Sequence, residues 1–329
     1  MKMISIPCCG MVLAAALAGC SVTEHDAAAA DADVTIENCG HDIHVDGPPE
    51  RAVTLEQNAT EILVALGVGD RMAGQGYQVD EPLPELAHDY EDIPVLNSAS
   101  ISAEQLRAAL PDFTYSTLGS FYSDAGVGTV EELRRLGVPS YVSETNCPGT
   151  SSVPASFERL FDEYRDLGEI FGAEAAAAQL VAEQQQILDD ASRDSDNPPT
   201  VAWFYSTYNG VPIVAGAGGM PSAISEAVGL RNAFDDVTTS SWPEMSWEQI
   251  AKRDPDVIVV ADLSSRGRPG DSAEEKIELL RSDPVAWNLS AVRTDRIVAL
   301  SGTAMDPSIR SAAAVSELDH WLTNTESFE

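Results

Sequence analysis

The sequence predicts an α/β protein with two Rossmann-like lobes, parallel-type sheets and one long α-helix joining the lobes. Three observations predict it. Strand-like and helix-like segments alternate through both halves of the chain. A capped-helix motif occurs twice, once per half. Between the halves, residues 154–193 keep a helical period with no strand signal.

The repeated motif is S-x-E-Q-[L/I]-x-x-x-x-P-D, at Ser102 to Asp112 and again at Ser246 to Asp256. Ser102 and Ser246 are N-cap residues. Gln105 and Gln249 stand three residues on and complete a capping box. Leu106 and Ile250 begin the buried face. Pro111 and Pro255 cannot continue a helix, so each helix ends before them. FTYST follows the first copy and VIVVA the second, both strand-like. A helix feeding a strand, once per half, implies two lobes built on one plan. Folding leaves Glu104 and Glu248 unexplained. A first-turn carboxylate suits the helix dipole, and that alone accounts for them by position. A matched pair of exposed acids, one per lobe, also suits a two-fold symmetric partner.

The N-terminus is a targeting segment. Lys2 precedes a mostly apolar run from Ile4 to Ala18, too short for a comfortable membrane span. The run ends in Leu17-Ala18-Gly19-Cys20, which resembles a bacterial lipobox. Its implication is removal of residues 1–19 and lipid on the Cys20 thiol, holding the protein on the outer face of the cell membrane. An ordinary secretory signal with an incidental cysteine is the alternative. Residues 20–33 are small and acidic and read as a flexible tether.

The chain divides into a first lobe at 34–153, a linking helix at 154–195 and a second lobe at 196–329. In the first lobe, TIENCG and HDIHVDG read as a hairpin, followed by a strand at Arg51 to Leu55 and a helix at Asn58 to Leu66 that stops at Gly67. Met72 to Gly76 and Ile93 to Leu96 are further strands. FTYST, a helix near Thr129 to Leu136 and a strand at Ser140 to Ser143 complete it. In the linker, Phe157, Leu160, Phe161, Tyr164 and Leu167 share a face that continues through Ile170, Leu180, Val181, Ile187 and Leu188. An unbroken helix there would exceed ~50 Å. Two helices hinged near Gly172 are the alternative. The second lobe opens with VAWFYST and VPIVAG around a Tyr208-Asn209-Gly210 turn. A helix at Pro221 to Val228, VIVVA, a helix at Ser272 to Arg281, a strand at Arg296 to Leu300 and a helix at Pro307 to Leu322 follow.

Charge and cysteine content narrow the function. The 329 residues carry 53 acidic and 19 basic side chains, a formal net charge of -34. That excludes a nucleic-acid partner, which needs a basic face. Cys8 and Cys9 leave with the signal and Cys20 takes the lipid, so Cys39 and Cys147 remain. An even pair in an oxidising compartment suits a disulfide closing more than 100 residues; two inert thiols are the alternative. No metal or redox motif, H-E-x-x-H, Walker A sequence or G-x-S-x-G occurs. No catalytic constellation, resident metal or cofactor is expected. The five histidines are His25, His41, His44, His88 and His320; His25 lies in the tether, the His41/His44 pair is near the start, and His88 lies in the Pro-rich loop.

Taken together, the lipobox, acidic tether, α/β lobe, linking helix and second α/β lobe resemble the extracellular solute-binding proteins of bacterial ABC importers. R-A-V-T-L…N-A-T-E-I-L-V-A-L-G at 51–67 and the two S-x-E-Q…P-D copies carry the resemblance to the siderophore and vitamin B12-binding group. The resemblance implies a monomer that delivers a metal-chelate ligand to a permease dimer with its ATPase. It further implies permease docking through Glu104 and Glu248, onto arginines of the two subunits. An iron–siderophore complex is the first expectation for the ligand, and a corrinoid or another large anionic cofactor the second. A secreted two-lobed hydrolase is the rival class, and it lacks a nucleophile and base here.

The resemblance implies a ligand cleft between the lobes, and contacts are expected there in strand-to-helix loops, outside the carboxyl ends of the strands. The candidates are Gln57, Asn58, Tyr77, Asn97, Ser98 and Tyr122 in the first lobe. In the second they are Tyr205, Tyr208, Trp242, Arg266, Met305 and Arg310. Aromatic rings suit a large multi-ring ligand, and Arg266 and Arg310 suit an anionic one.

Overall fold

The computed structural model describes residues 33–149, 153–193 and 196–325. The signal segment, Cys20 and nearly all of the tether lie outside the described residues.

The first lobe contains β1 (Val34–Asn38), β2 (His41–Val45), β3 (Ala52–Thr54), α1 (Gln57–Ala65), β4 (Met72–Gly76), α2 (Ala87–Glu91), β5 (Val95–Asn97), α3 (Ala103–Ala108), β6 (Phe113–Ser116), α4 (Val130–Arg135) and β7 (Ser140–Val142). β1 and β2 pair as an antiparallel hairpin. The other five strands form a parallel sheet in the order β5-β4-β3-β6-β7. Strands this short and this apolar hold together because helices cover the sheet; β3 and β6 are fully buried. A disulfide joins Cys39, in the hairpin turn, to Cys147, after β7, across 108 residues. In the chain-entropy view such a loop is worth about 4–5 kcal/mol.

The connection between lobes departs from the single long helix expected. It consists of α5 (Phe157–Phe171) and α6 (Glu174–Ala191). Gly172 adopts a left-handed conformation, φ 62°, and its N–H returns to the carbonyls of Glu169 and Gly168. That caps α5 and reverses the chain. Hydrophobic periodicity continues through the break because both helices need an apolar face. They pack antiparallel: Tyr164 donates its hydroxyl to Gln184 Oε1 at 3.3 Å. The approach depends on Gly168, where an added Cβ would sit 2.7 Å from the Ala177 Cβ. α5 belongs to the first lobe, with Phe171 edge-on to Phe113 at 5.5 Å. α6 belongs to the second, with Gln184 Nε2 donating to the Ile309 carbonyl at 3.3 Å.

The second lobe contains β8 (Thr200–Tyr208), β9 (Val211–Val214), α7 (Met220–Ala227), β10 (Arg231–Asn232), α8 (Trp247–Arg253), β11 (Val257–Asp262), α9 (Ala273–Ser282), α10 (Ser290–Arg293), β12 (Ile297–Ser301) and α11 (Arg310–Asn324). β10-β8-β11-β12 run parallel, and β9 pairs antiparallel with β8. The two motif helices occupy matching places. α3 feeds β6, which lies beside β3; α8 feeds β11, which lies beside β8. Both capping boxes are formed. Trp247 packs edge-on against Phe204 at 5.5 Å, and Trp203 is fully buried with its indole N–H on Ser225 Oγ at 2.9 Å.

Candidate functional site: the cleft between the lobes

Carboxyl ends of parallel strands from both lobes meet at one small cavity of about 90 Å³. Glu56, Gln57 and Asn58 arrive from the end of β3, Tyr77 and Val79 from β4, and Leu118 from β6. Tyr205 comes from β8, Arg266 from the loop after β11, and Gly302, Thr303 and Asp306 from the end of β12. Residues at strand ends face the gap between the lobes while the sheet holds their backbone still, which suits ligand contact.

Glu56 anchors the first-lobe side. It is the N-cap of α1, and its carboxylate accepts from the backbone N–H groups of Asn58 at 2.6 Å, Ala59 at 3.0 Å and Thr117 at 2.9 Å. Burial outweighs these bonds and pushes its pKa up to about 7. Tyr77 sits in a left-handed conformation, φ 45°, with its ring edge-on to Phe121 at 5.1 Å. A tyrosine held there is strained backbone at the cleft. On the second-lobe side, Arg266 donates Nη2 to the Tyr205 hydroxyl at 2.5 Å and lies over the same ring at 5.3 Å. Tyr205 stacks on Trp242 at 4.7 Å. Burial raises the Asp306 carboxyl to about 6, against the pull of the Arg266 charge and a bond from Trp242.

Beside the cavity the lobes are tied directly. Arg310 is buried and donates Nε to Glu61 Oε2 at 2.8 Å and Nη2 to Glu61 Oε1 at 2.5 Å. Its Nη1 reaches Asp80 Oδ2 at 3.2 Å. Asp80, from the first lobe, also accepts from Ser301 Oγ at 2.7 Å and Thr303 Oγ1 at 3.3 Å. Gln57 Oε1 holds this loop through the N–H groups of Val79 at 2.9 Å and Asp80 at 2.8 Å.

Of the twelve cleft candidates, Gln57, Asn58, Tyr77, Tyr205 and Arg266 come together around the cavity, and Trp242 backs Tyr205. The others lie elsewhere. Arg310 is consumed by Glu61 and Asp80 and is not free to meet an anion. Met305 is buried in the core. Tyr122 is buried in the first lobe, its hydroxyl 3.3 Å from Thr114 Oγ1. Asn97 serves its own turn, accepting from Ala99 N–H at 3.0 Å and donating to Gln105 Oε1 at 3.2 Å. Ser98 accepts from Gln78 N–H at 3.2 Å through its carbonyl. Tyr208 is exposed at the β8–β9 turn, and His88 is exposed within α2. Sequence reading missed Glu56, Asp306, Asp80 and Glu61. Glu56, a carboxylate directly before a helix, carried the only local signal.

A family model described as periplasmic binding protein matches residues 53–304. The chain belongs to the periplasmic binding protein family. Among relatives, the vitamin B12-binding protein of Vibrio campbellii is 28% identical, with 84% of this chain and 91% of that protein covered. An ABC-type Fe3+-hydroxamate transport system structure from Saccharomonospora viridis has TM-score 0.75 at 27% identity, covering 89% of this chain and 99% of that one. A periplasmic binding protein structure from Veillonella parvula has TM-score 0.78 at 24% identity, covering 90% and 99%. Family members are substrate-binding proteins of ABC import, not enzymes; they act outside the cytoplasm with a permease and an ATPase. Among the described residues no helix is long and apolar enough to cross a membrane.

A larger hollow of about 740 Å³ lies wholly in the first lobe, between the β1–β2 hairpin and α4, and Tyr122 lines it. It draws nothing from the second lobe. Asp33, His44 and Asp46 converge at the surface nearby, but His44 is already 3.0 Å from Asp46 and 3.0 Å from Thr35 Oγ1.

Proposed function

We propose that this protein captures a corrinoid-class metal chelate in the inter-lobe cleft and delivers it to an ABC permease. The observation that carries the reading is the cleft itself, with strand ends of both lobes converging on an Arg266–Tyr205–Trp242 wall. An aromatic wall with one cation suits a large ring system. Two features favour a corrinoid over an anionic ferric chelate. Arg310 is already committed to Glu61 and Asp80, so among the described residues lining the cavity Arg266 is the one cation, and Asp306 opposes its charge, which suits a strongly anionic ligand poorly. The vitamin B12-binding relative supports the same choice. The second reading is an iron–siderophore complex, favoured by the likeness to the Fe3+-hydroxamate system.

Glu104 and Glu248 are exposed at matching helix starts, on the second residue after each capping serine. They serve as the docking acids for a dimeric permease, where charge-assisted bonds to arginine set orientation. Cys20 carries the lipid, residues 20–33 tether the lobes to the outer face of the membrane, and the protein works as a monomer. The test is native mass spectrometry with an absorption spectrum on protein purified from its own host. A bound mass with corrin absorption supports the reading. A ferric charge-transfer band replaces it with the second reading.

A further inference from the structure

The two lobes leave complementary atoms unpaired at the cavity. Asn58 is buried, and its Nδ2 donates to the Thr303 carbonyl at 3.2 Å. That bond fixes the amide, because the flipped form would set oxygen against oxygen. Oδ1 is then a buried acceptor with no partner among the described residues. Arg266 gives Nη2 to Tyr205, and its Nε is a buried donor with no partner among the described residues. Both residues line the same cavity, one from each lobe. Buried polar atoms are rarely left unmet, and a ligand is the natural partner where a site is built to open. Asp306 and Glu56 line the cavity with Arg266, so two acids oppose its one cationic group and the site holds no surplus of positive charge. Its volume of about 90 Å³ suits a group of three or four heavy atoms.

Resting on the reading of the cleft as a corrinoid site, we propose that its floor selects a neutral group that accepts from Arg266 and donates to Asn58, as a primary carboxamide does, and rejects a carboxylate in the same place. An ionised carboxylate has acceptors only. It would set oxygen against Asn58 Oδ1 and bring a second negative charge beside Asp306. Discrimination of about tenfold to a hundredfold follows from leaving one buried partner unmet.

Two probes with the same ring test this. Dicyanocobinamide carries carboxamide side chains, and dicyanocobyrinic acid carries carboxylates in their place. Each is titrated by tryptophan fluorescence at pH 7 in 1 M KCl, where a Debye length of about 3 Å removes the general repulsion of an acidic surface. The amide ring binds at least tenfold tighter to the native protein. In Asn58→Leu the ratio falls toward one. In Asp306→Asn, a near-isosteric change that keeps the fold, the ratio moves toward the carboxylate. Equal affinities in the native protein, or a ratio unmoved in both variants, overturns the proposal and leaves the corrinoid reading standing. No binding of either ring overturns both.

Discussion

Arg310→Met tests whether the buried arginine ties the lobes or waits for ligand. Glu61 has no exposed side-chain surface, and Arg310 meets it with two parallel bonds. Removing the arginine leaves a carboxylate in a dry site with only Gln57 Nε2, at 3.1 Å, to bond it. Breaking one side of such a pair costs about 3–5 kcal/mol. Asp80 contributes less, because its side chain keeps 24% of its surface and still has Ser301 and Thr303. The double variant Arg310→Met/Glu61→Met replaces both charges by apolar chains and recovers most of the loss, since the desolvation cost disappears with the charges. Urea unfolding at pH 7.5, followed by tryptophan fluorescence, measures both. A single variant within about 1 kcal/mol of the native protein, coupled to loss of ligand affinity, would refute the tie and return Arg310 to the ligand.

The remaining predictions concern pH, salt and docking. Burial raises both Glu56 and Glu163 to about 7, well above the unfolded value near 4.5. Their stabilising neutral forms are fully present below about pH 4.5 and are lost as pH rises through 7, on the order of 3 kcal/mol each at the limit. Thermal melts in high salt therefore show a falling midpoint from pH 6 to pH 8; a rising midpoint contradicts the assignment. The net charge of -34 opposes compaction, so the midpoint at pH 7 rises between 0.05 and 1 M KCl, and a flat response would show that the acids are dispersed enough not to matter. Glu104→Ala with Glu248→Ala leaves ligand affinity unchanged and abolishes uptake in cells; a loss of affinity would place these residues in the fold or the cleft.

What the sequence disclosed follows the range of the interactions involved. The motif helices were legible because a capping box is a contact over three residues, written in Ser102, Gln105, Ser246 and Gln249. Parallel sheets were legible from alternation, since each strand and its helix signal locally. The break at Gly172 was not decided by periodicity, because α5 and α6 each bury one face and the apolar pattern runs through the turn. The place of Gln57 and Asn58 at a strand end is legible because they follow a strand directly. The pairing of Arg310 is not legible, because its partner Glu61 lies 249 residues away. No local rule links two charges at that distance, and the same holds for Asp80 with Ser301, 221 residues apart. Tyr122 looked like a cleft aromatic for the same reason: its burial depends on how the segment after β6 folds back over the lobe.

The central claim is that ligand binds between the lobes, at the carboxyl ends of their strands. Isothermal titration of cyanocobalamin into the native protein, Tyr205→Ala and Tyr122→Phe tests it most directly. Tyr205 belongs to the inter-lobe cavity and Tyr122 to the hollow confined to the first lobe. The account predicts one site per chain, affinity reduced at least tenfold by Tyr205→Ala and unchanged by Tyr122→Phe. Binding that survives Tyr205→Ala and fails with Tyr122→Phe would move the site into the first lobe and contradict the account.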